Sequence, residues 1–367
     1  MKKIIVFILL TIVFSLPVKA DEIYDTQYDN IGADRLEDSL DDQTKEFFKG
    51  NDIDAKDPDW VNKITSSNVL SHVWNIVTGG IKAPVKSGFF IASIIFLTAS
   101  ITAFSISSRF ETAIYAAVLA IGAVVAVDIW HSVEAAIGAV QGCSSFMLSF
   151  VPIFAGVLAL SGHTVTAPAM SALLLGASEV VSFLASFFVL PLMGGYLALS
   201  ISSGVSPLWG NVGIVETVKK LSMWIMSLLG TLFVGILSIQ TVVNSAADSV
   251  TIRATKFILG TSVPVVGGAL SESLSTITAS MGLLRSSIGI YGVVALIFML
   301  LPIIIELLLW RGVLMINVSL AEVFSLSKVS GILRAVDSML SVLLGVILIV
   351  GGMFIISLTV VVSAGKA

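Results

Sequence analysis

Residues 256–277 read KFILGTSVPVVGGALSESLSTI, a stretch too rich in Pro, Gly and Ser for an ordinary lipid-facing helix, yet flanked by hydrophobic runs on both sides. Irregular backbone at membrane depth survives only where protein or a water-filled cavity satisfies its N–H and C=O groups. The segment is therefore a surface connection or the structured interior of a membrane assembly. A weaker copy, Ser149-Phe150-Val151-Pro152-Ile153-Phe154-Ala155-Gly156, stands 112 residues earlier and favours the interior.

Composition points the same way. Apolar residues make up 56% of the chain and charged residues 12%, about half the charged share of an ordinary globular domain. The charges are segregated. Asp21 to Trp60 holds 14 acidic and 4 basic residues, whereas Val61 onward holds 10 acidic and 13 basic. This predicts an all-α polytopic membrane helix bundle behind a short acidic extracytoplasmic head. No basic tract suggests nucleic acid, and a single cysteine, Cys143, excludes an internal disulfide.

The domain boundaries follow. Lys2 and Lys3, an apolar run from Ile4 to Leu16, and Val18-Lys19-Ala20 predict a cleavable signal peptide over 1–20. The head is expected over 21–86. Leu36, Leu40 and Phe47 form a narrow stripe after an Asp34 cap, and Asp57-Pro58-Asp59 opens a helix lined by Trp60, Ile64, Val69, Val73, Trp74 and Val77. Gly79-Gly80 and Pro84 end that helix. The membrane domain is expected over 87–364. Its apolar runs are Gly88–Ser107, Thr112–Trp130, Ala135–Leu160, Ser171–Ser203 with Pro191 midway, Leu221–Val243, Ile288–Trp310 and Ser338–Val362.

An internal repeat organises these runs. Pro152 and Gly156 match Pro264 and Gly268 at an offset of 112, and Pro191 matches Pro302 at 111. The repeats are placed at about 112–220 and 221–335, with a closing helix at 338–362, a pattern familiar in transport proteins. Re-entrant Pro/Gly segments would make the units parallel. They would put Arg109, Lys219, Lys220, Arg311, Lys328 and Arg334 in the cytoplasm against Arg253, Lys256, Arg285 and Lys366 outside, six against four. If the first segment crosses and the second stays in a loop, the count is five against five.

No nucleotide-binding P-loop is present, and His72, His131 and His163 lack the spacing of a metalloprotease helix. Neither a catalytic residue, a cofactor nor a metal is expected. Carboxylates within apolar runs carry more weight, because a charge at the bilayer centre costs at least about 2.5 kcal/mol and usually faces a bundle interior or water. Glu179 and Glu306 are the main candidates, and the spacing of Glu306 from Arg311 suggests an ion pair between them near an interface. Asp128, Asp248 and Glu272 stand nearer to breaks and are expected at interfaces. The candidate pathway or packing residues are thus Pro152, Gly156, Glu179, Pro264, Gly267, Gly268, Glu272 and Glu306.

The segment Lys256-Phe257 through Val263-Pro264-Val265-Val266-Gly267-Gly268-Ala269-Leu270-Ser271-Glu272 resembles the stage III sporulation protein AE family of endospore-forming bacteria. The resemblance runs from about Trp60 to Val362. It implies a multi-pass subunit in the mother-cell membrane around the forespore. There it would serve as the membrane core of a secretion-like channel whose partners include an ATPase subunit and other membrane subunits, in a homo- or hetero-oligomer. Two other readings stay open on the residues alone: a self-contained secondary transporter with a broken-helix site near Glu179, and a non-transporting membrane scaffold.

Overall fold

The computed structural model describes residues 26–57, 59–104, 109–184, 187–188, 190–205, 212–262 and 267–363. The signal-peptide expectation, Pro58 and Pro264 lie outside the described residues. No strand occurs among those described. The head comprises a helical turn at 26–30, a 3-10 helix Ala33–Ser39, α1 (Asp42–Gly50) and a 3-10 helix Trp60–Lys63. Then follow α2 (Ser66–Gly80), α3 (Lys82–Phe104), α4 (Arg109–Leu160), α5 (Thr166–Leu184), α6 (Leu190–Val205), α7 (Val212–Ser262), α8 (Gly267–Val323) and α9 (Ser327–Ser363).

The membrane helices are longer than the apolar runs suggest. Thr112–Trp130 and Ala135–Leu160 are a single helix, α4, of 52 residues. Ile288–Trp310 lies within the 57 residues of α8, which would reach about 85 Å if straight. Charges read in the sequence as boundaries are buried or paired inside these helices instead. Asp248 and Arg285 are buried, and Arg311 Nε donates to Asp337 Oδ1 at 2.8 Å across α8 and α9. Among the described residues, six stretches are long and apolar enough to cross a membrane: Ser66–Phe104, Glu111–Leu160, Thr166–Leu184, Met223–Thr251, Met281–Val323 and Ser327–Val362.

Cross-helix contacts give the directions. The head covers the upper part of α8: Trp60 Nε1 donates to Ser287 Oγ at 3.1 Å, Phe48 meets Tyr291 edge-on, and Phe47 stacks on Phe298 at 4.4 Å. Gly80 then lies against Leu309 and Gly88 against Val313, so α2 and α3 descend alongside α8. The α4 helix climbs back, with Tyr115 beside Lys328, Ser132 beside Glu306 and Phe150 beside Gly292. Helices α5 and α6 descend again in two pieces, α7 ascends, α8 descends and α9 ascends. Pro191 sits in the first turn of α6, where a missing N–H costs nothing because that donor would have no helical partner.

The re-entrant reading of the first Pro/Gly segment is corrected. Pro152 lies inside continuous α4 and the chain reverses ten residues later, at Ser161 to Val165. An interior proline forfeits one hydrogen bond and costs about 3 kcal/mol in an isolated helix. Here packing offsets that cost. Phe146, Phe150 and Phe154 form a ladder with ring centroids 5.5 and 5.4 Å apart. Phe150 and Phe154 enter notches at Gly292 and Gly289 of α8. Ile31 of the head closes over Gly156.

The head also departs from its sequence reading. Asp34 lies within the first 3-10 turn, which starts after Gly32 at φ 69°. The helix expected from Asp57 onward is split at Ile64 and Thr65. Trp60 is drawn into the core at 0% exposure, while Trp74 is left 66% exposed, so the two tryptophans cannot share one face.

A β-carbon at Gly292 would stand 2.5 Å from the Phe150 ring, whereas one at Gly138 meets nothing within 4 Å. We expect Gly292→Ala to lower stability by about 1–3 kcal/mol through overpacking. Gly138→Ala should be neutral or stabilising by up to about 1 kcal/mol. Thermal unfolding of the two detergent-solubilised variants compares them directly.

Candidate functional site: a polar cleft and buried charges

Between the head, α2 and α8 lies a cleft of about 740 Å³. Its walls carry Gln43, Asn51, Asn68, His72 and Asn75, and Pro302 and Glu306 are at its α8 side. Glu306 does not pair with Arg311 as the spacing suggested, because Asp337 takes that guanidinium. Its Oε1 instead accepts from Ser132 Oγ of α4 at 2.7 Å. The carboxylate therefore joins the cleft to the α4–α8 seam.

Among the described residues Asp248 is the most deeply buried carboxylate, at 1% exposure, and is not the interfacial residue expected. Its two oxygens accept from the backbone N–H groups of Val165 at 2.8 Å and Thr166 at 3.1 Å. A side chain of α7 thus caps the N-terminus of α5 from outside the helix. The helix dipole and unpaired first-turn donors favour an anion there. His163 sits in the same turn. Burial first, then the Arg285 cation, hold its imidazole below the ordinary value, against the opposing pull of Asp248. Its Nδ1 is buried without a hydrogen-bond partner, as is Arg285 Nε. Sequence spacing could not reveal this trio, since 163, 248 and 285 come from three separate stretches.

The remaining candidates are scattered. Glu179 faces outward on α5, next to Val180 at 52% and Phe183 at 59% exposure, so it does not line the bundle interior. Gly267 and Gly268 open α8, and Glu272 falls in its second turn. Asp128 accepts from Ser87 Oγ, tying α4 to α3. His131 Nδ1 and Glu134 Oε2 are 3.9 Å apart and both exposed. Among the described residues, no group of three His, Cys, Asp or Glu could hold a metal.

With this arrangement in view, the comparison with known proteins is specific. The profile of the stage III sporulation protein AE family matches residues 62–365. The chain belongs to that family. It is 25% identical over 253 residues to the stage III sporulation protein AE of Bacillus subtilis (strain 168). That alignment covers 69% of this chain and 63% of the relative, so the chain spans less than two thirds of the relative's length. No solved structure matches. The matched residues begin at Asn62, so most of the head lies outside the family match.

Two outcomes follow from buried Asp248 and half-buried His163. Asp248→Ala strands two N–H donors at the start of α5, and we expect a loss of about 1–3 kcal/mol, read as a lower unfolding temperature. Because His163 titrates below its unfolded value of 6.5, the unfolded chain binds more protons between the two values. Its contribution is intact above about pH 6.5 and falls as pH drops from there through the folded value. We expect the melting temperature to decline over that window, and the decline to shrink in His163→Gln.

Proposed function

We propose that this chain is the integral-membrane core subunit of a secretion-like channel complex linking mother cell and forespore, and that it is needed for forespore development. Membership of the stage III sporulation protein AE family carries the reading. Six long apolar stretches suit a multi-pass protein of the mother-cell membrane. With the head outside, the far half of the bundle holds Arg109, Lys219, Lys220, Arg311, Lys328 and Arg334, in keeping with the positive-inside rule. On this reading the first twenty residues direct the head across the membrane and are then removed.

Its role is conformational and architectural, without chemistry of its own. The energy comes from a partner ATPase, and other membrane subunits complete the passage. The outward position of Glu179 supports a multi-subunit assembly over a self-contained transporter. A carboxylate on the outer face of an apolar helix is unfavourable against lipid and calls for a neighbouring protein or water.

Deleting the gene in its endospore-forming host should abolish heat-resistant spores while leaving vegetative growth unchanged, and a plasmid copy should restore them. Tagged protein purified from sporulating cells should bring down membrane partners in fixed ratio. Normal spore yield in the deletion strain would remove the reading.

A further inference from the structure

The walls of the polar cleft run against the usual order of a packed helix. Along α2, Asn68, Ser71, His72 and Asn75 stand at i, i+3, i+4 and i+7, and this stripe lines the cleft between the head and α8. Leu70 and Trp74 lie on another face and are left 70% and 66% exposed. A helix packed on a bundle ordinarily turns its apolar stripe inward. Here the inward stripe is polar, so the space beside it takes water or a polar ligand in preference to a lipid chain. The cleft also stands clear of the hydrocarbon. Helix α3, of 23 residues, is long enough to cross by itself, and exposed Lys82 and Lys86 stand in its first turns. Gly79 and Gly80, which line the cleft, come just before those lysines, on the side of the head.

Charge narrows what the cleft can take. Among the described residues that line it, Glu46 and Glu306 are acidic and none is a lysine or arginine. The nearby cations are committed elsewhere: Lys49 to Glu37, Lys56 to Asp29, Lys63 to Asp52 and Asp57, and Arg311 to Asp337. Ser132 occupies only Oε1 of Glu306, and no described residue donates to Oε2. Pro302, one turn earlier on the same face, has no N–H for the Phe298 carbonyl, which adds a further acceptor. An anionic ligand would meet like charge and no cation. A sugar would need an open ring face to stack on, and the rings are already used. Phe47 has His72 and Phe298 each at a centroid distance of 4.4 Å and is 7% exposed. What remains is a cation carried on a chain that hydrogen-bonds to carboxamides.

We infer that the cleft receives a basic segment of a partner polypeptide, whose lysine ammonium or arginine guanidinium reaches Oε2 of Glu306. The inference rests on the multi-subunit reading above and names the chemistry of one partner contact. The carboxamides of Gln43 and Asn75 pair with the N–H and C=O groups of the incoming backbone. Glu46 meets a second cation at the other wall. Access to the floor is open, since a β-carbon at Gly79 would meet nothing within 4 Å. The volume of about 740 Å³ lies within the roughly 300–1,000 Å³ of ligand sites. A charge-assisted bond in so sheltered a place is stronger than one between neutral groups, and it fixes the register of the bound segment.

Titration calorimetry of the detergent-solubilised full chain with an acetylated, amidated tetralysine peptide tests this, beside tetraglutamate, spermidine and chitotetraose. Saturable one-to-one binding is expected for tetralysine and none for tetraglutamate or chitotetraose. Glu306→Gln, which keeps an acceptor for Ser132, and Glu46→Gln should each weaken binding at least several-fold. Asp34→Asn, exposed on the acidic head but outside the cleft, should leave it unchanged. Equal weakening by all three means diffuse attraction to the head and overturns the site. Asn75→Arg, at an exposed position of α2, places a competing cation in the cleft without disturbing the core, and retained binding in that variant also overturns it. Chitotetraose binding, or spermidine binding as tight as that of tetralysine, overturns the polypeptide assignment in favour of a glycan or a free polyamine. Spore formation in the deletion strain is scored separately, so absent tetralysine binding with sporulation still lost on deletion sinks this inference and leaves the channel reading standing.

Discussion

Glycine on one helix receiving phenylalanine from another is the contact on which the rest of this bundle rests. Lipid gives no hydrophobic drive for helices to associate, so close van der Waals packing and buried polar pairs must supply it. The Phe150 and Phe154 rings fill the hollows at Gly292 and Gly289, and that fit fixes the height of α4 against α8. Once this height is set, Ser132 meets Glu306 and Tyr115 meets Lys328 further down the same pair of helices. The head then docks on the upper end of the seam through Ile31, Trp60 and Phe48. An acidic, largely aqueous segment is thereby made part of the same core.

Charge plays a second, subordinate role. Several buried or half-buried ionic groups connect elements distant in sequence: Asp248 joins α7 to the α4–α5 turn, and Arg311 with Asp337 joins α8 to α9. Such groups contribute little net stability once desolvation is counted, but removing one partner is expensive. They therefore act as registers, penalising any sliding of one helix past another. Packing supplies the attraction and the polar pairs choose its alignment.

This division explains what could be read from the chain alone. Composition and long apolar runs made the all-α membrane class legible, and Gly80 was correctly read as a helix end. Boundaries elsewhere were misplaced for a consistent reason. Asp128, Asp248, Arg285 and Asp337 look like the ends of spans in a linear reading, since a lone charge in hydrocarbon is costly. In three dimensions each lies inside a long helix, where partners or burial in protein alter that cost. Pro152 misled in the same way. Its backbone defect is real, but the neighbouring aromatic ladder holds the helix straight through it. Glu179 stands out in the sequence because it lies in an apolar run, and in the fold it faces outward on α5. Period and hydropathy say that a carboxylate is out of place without saying which flank it faces.

The Pro-Val-Val-Gly-Gly segment takes its meaning from the helices around it. On either side of it, α7 arrives and α8 departs in opposite directions, each about 77 Å or more if straight. Val263 to Val266 lie outside the described residues, and Gly267 and Gly268 are the first residues of α8. The equivalent reversal between α4 and α5 uses Ser161-Gly162, with Gly162 at φ 92°. Of the two similar motifs, Pro152 and Gly156 lie inside α4, ahead of that turn, while in Pro264–Gly268 the described residues are the two glycines that open α8. In the first the proline is held within the helix by the aromatic seam, and glycine at 162 makes the bend. Local sequence proposes where a chain is able to break, and tertiary packing decides which of those places it uses.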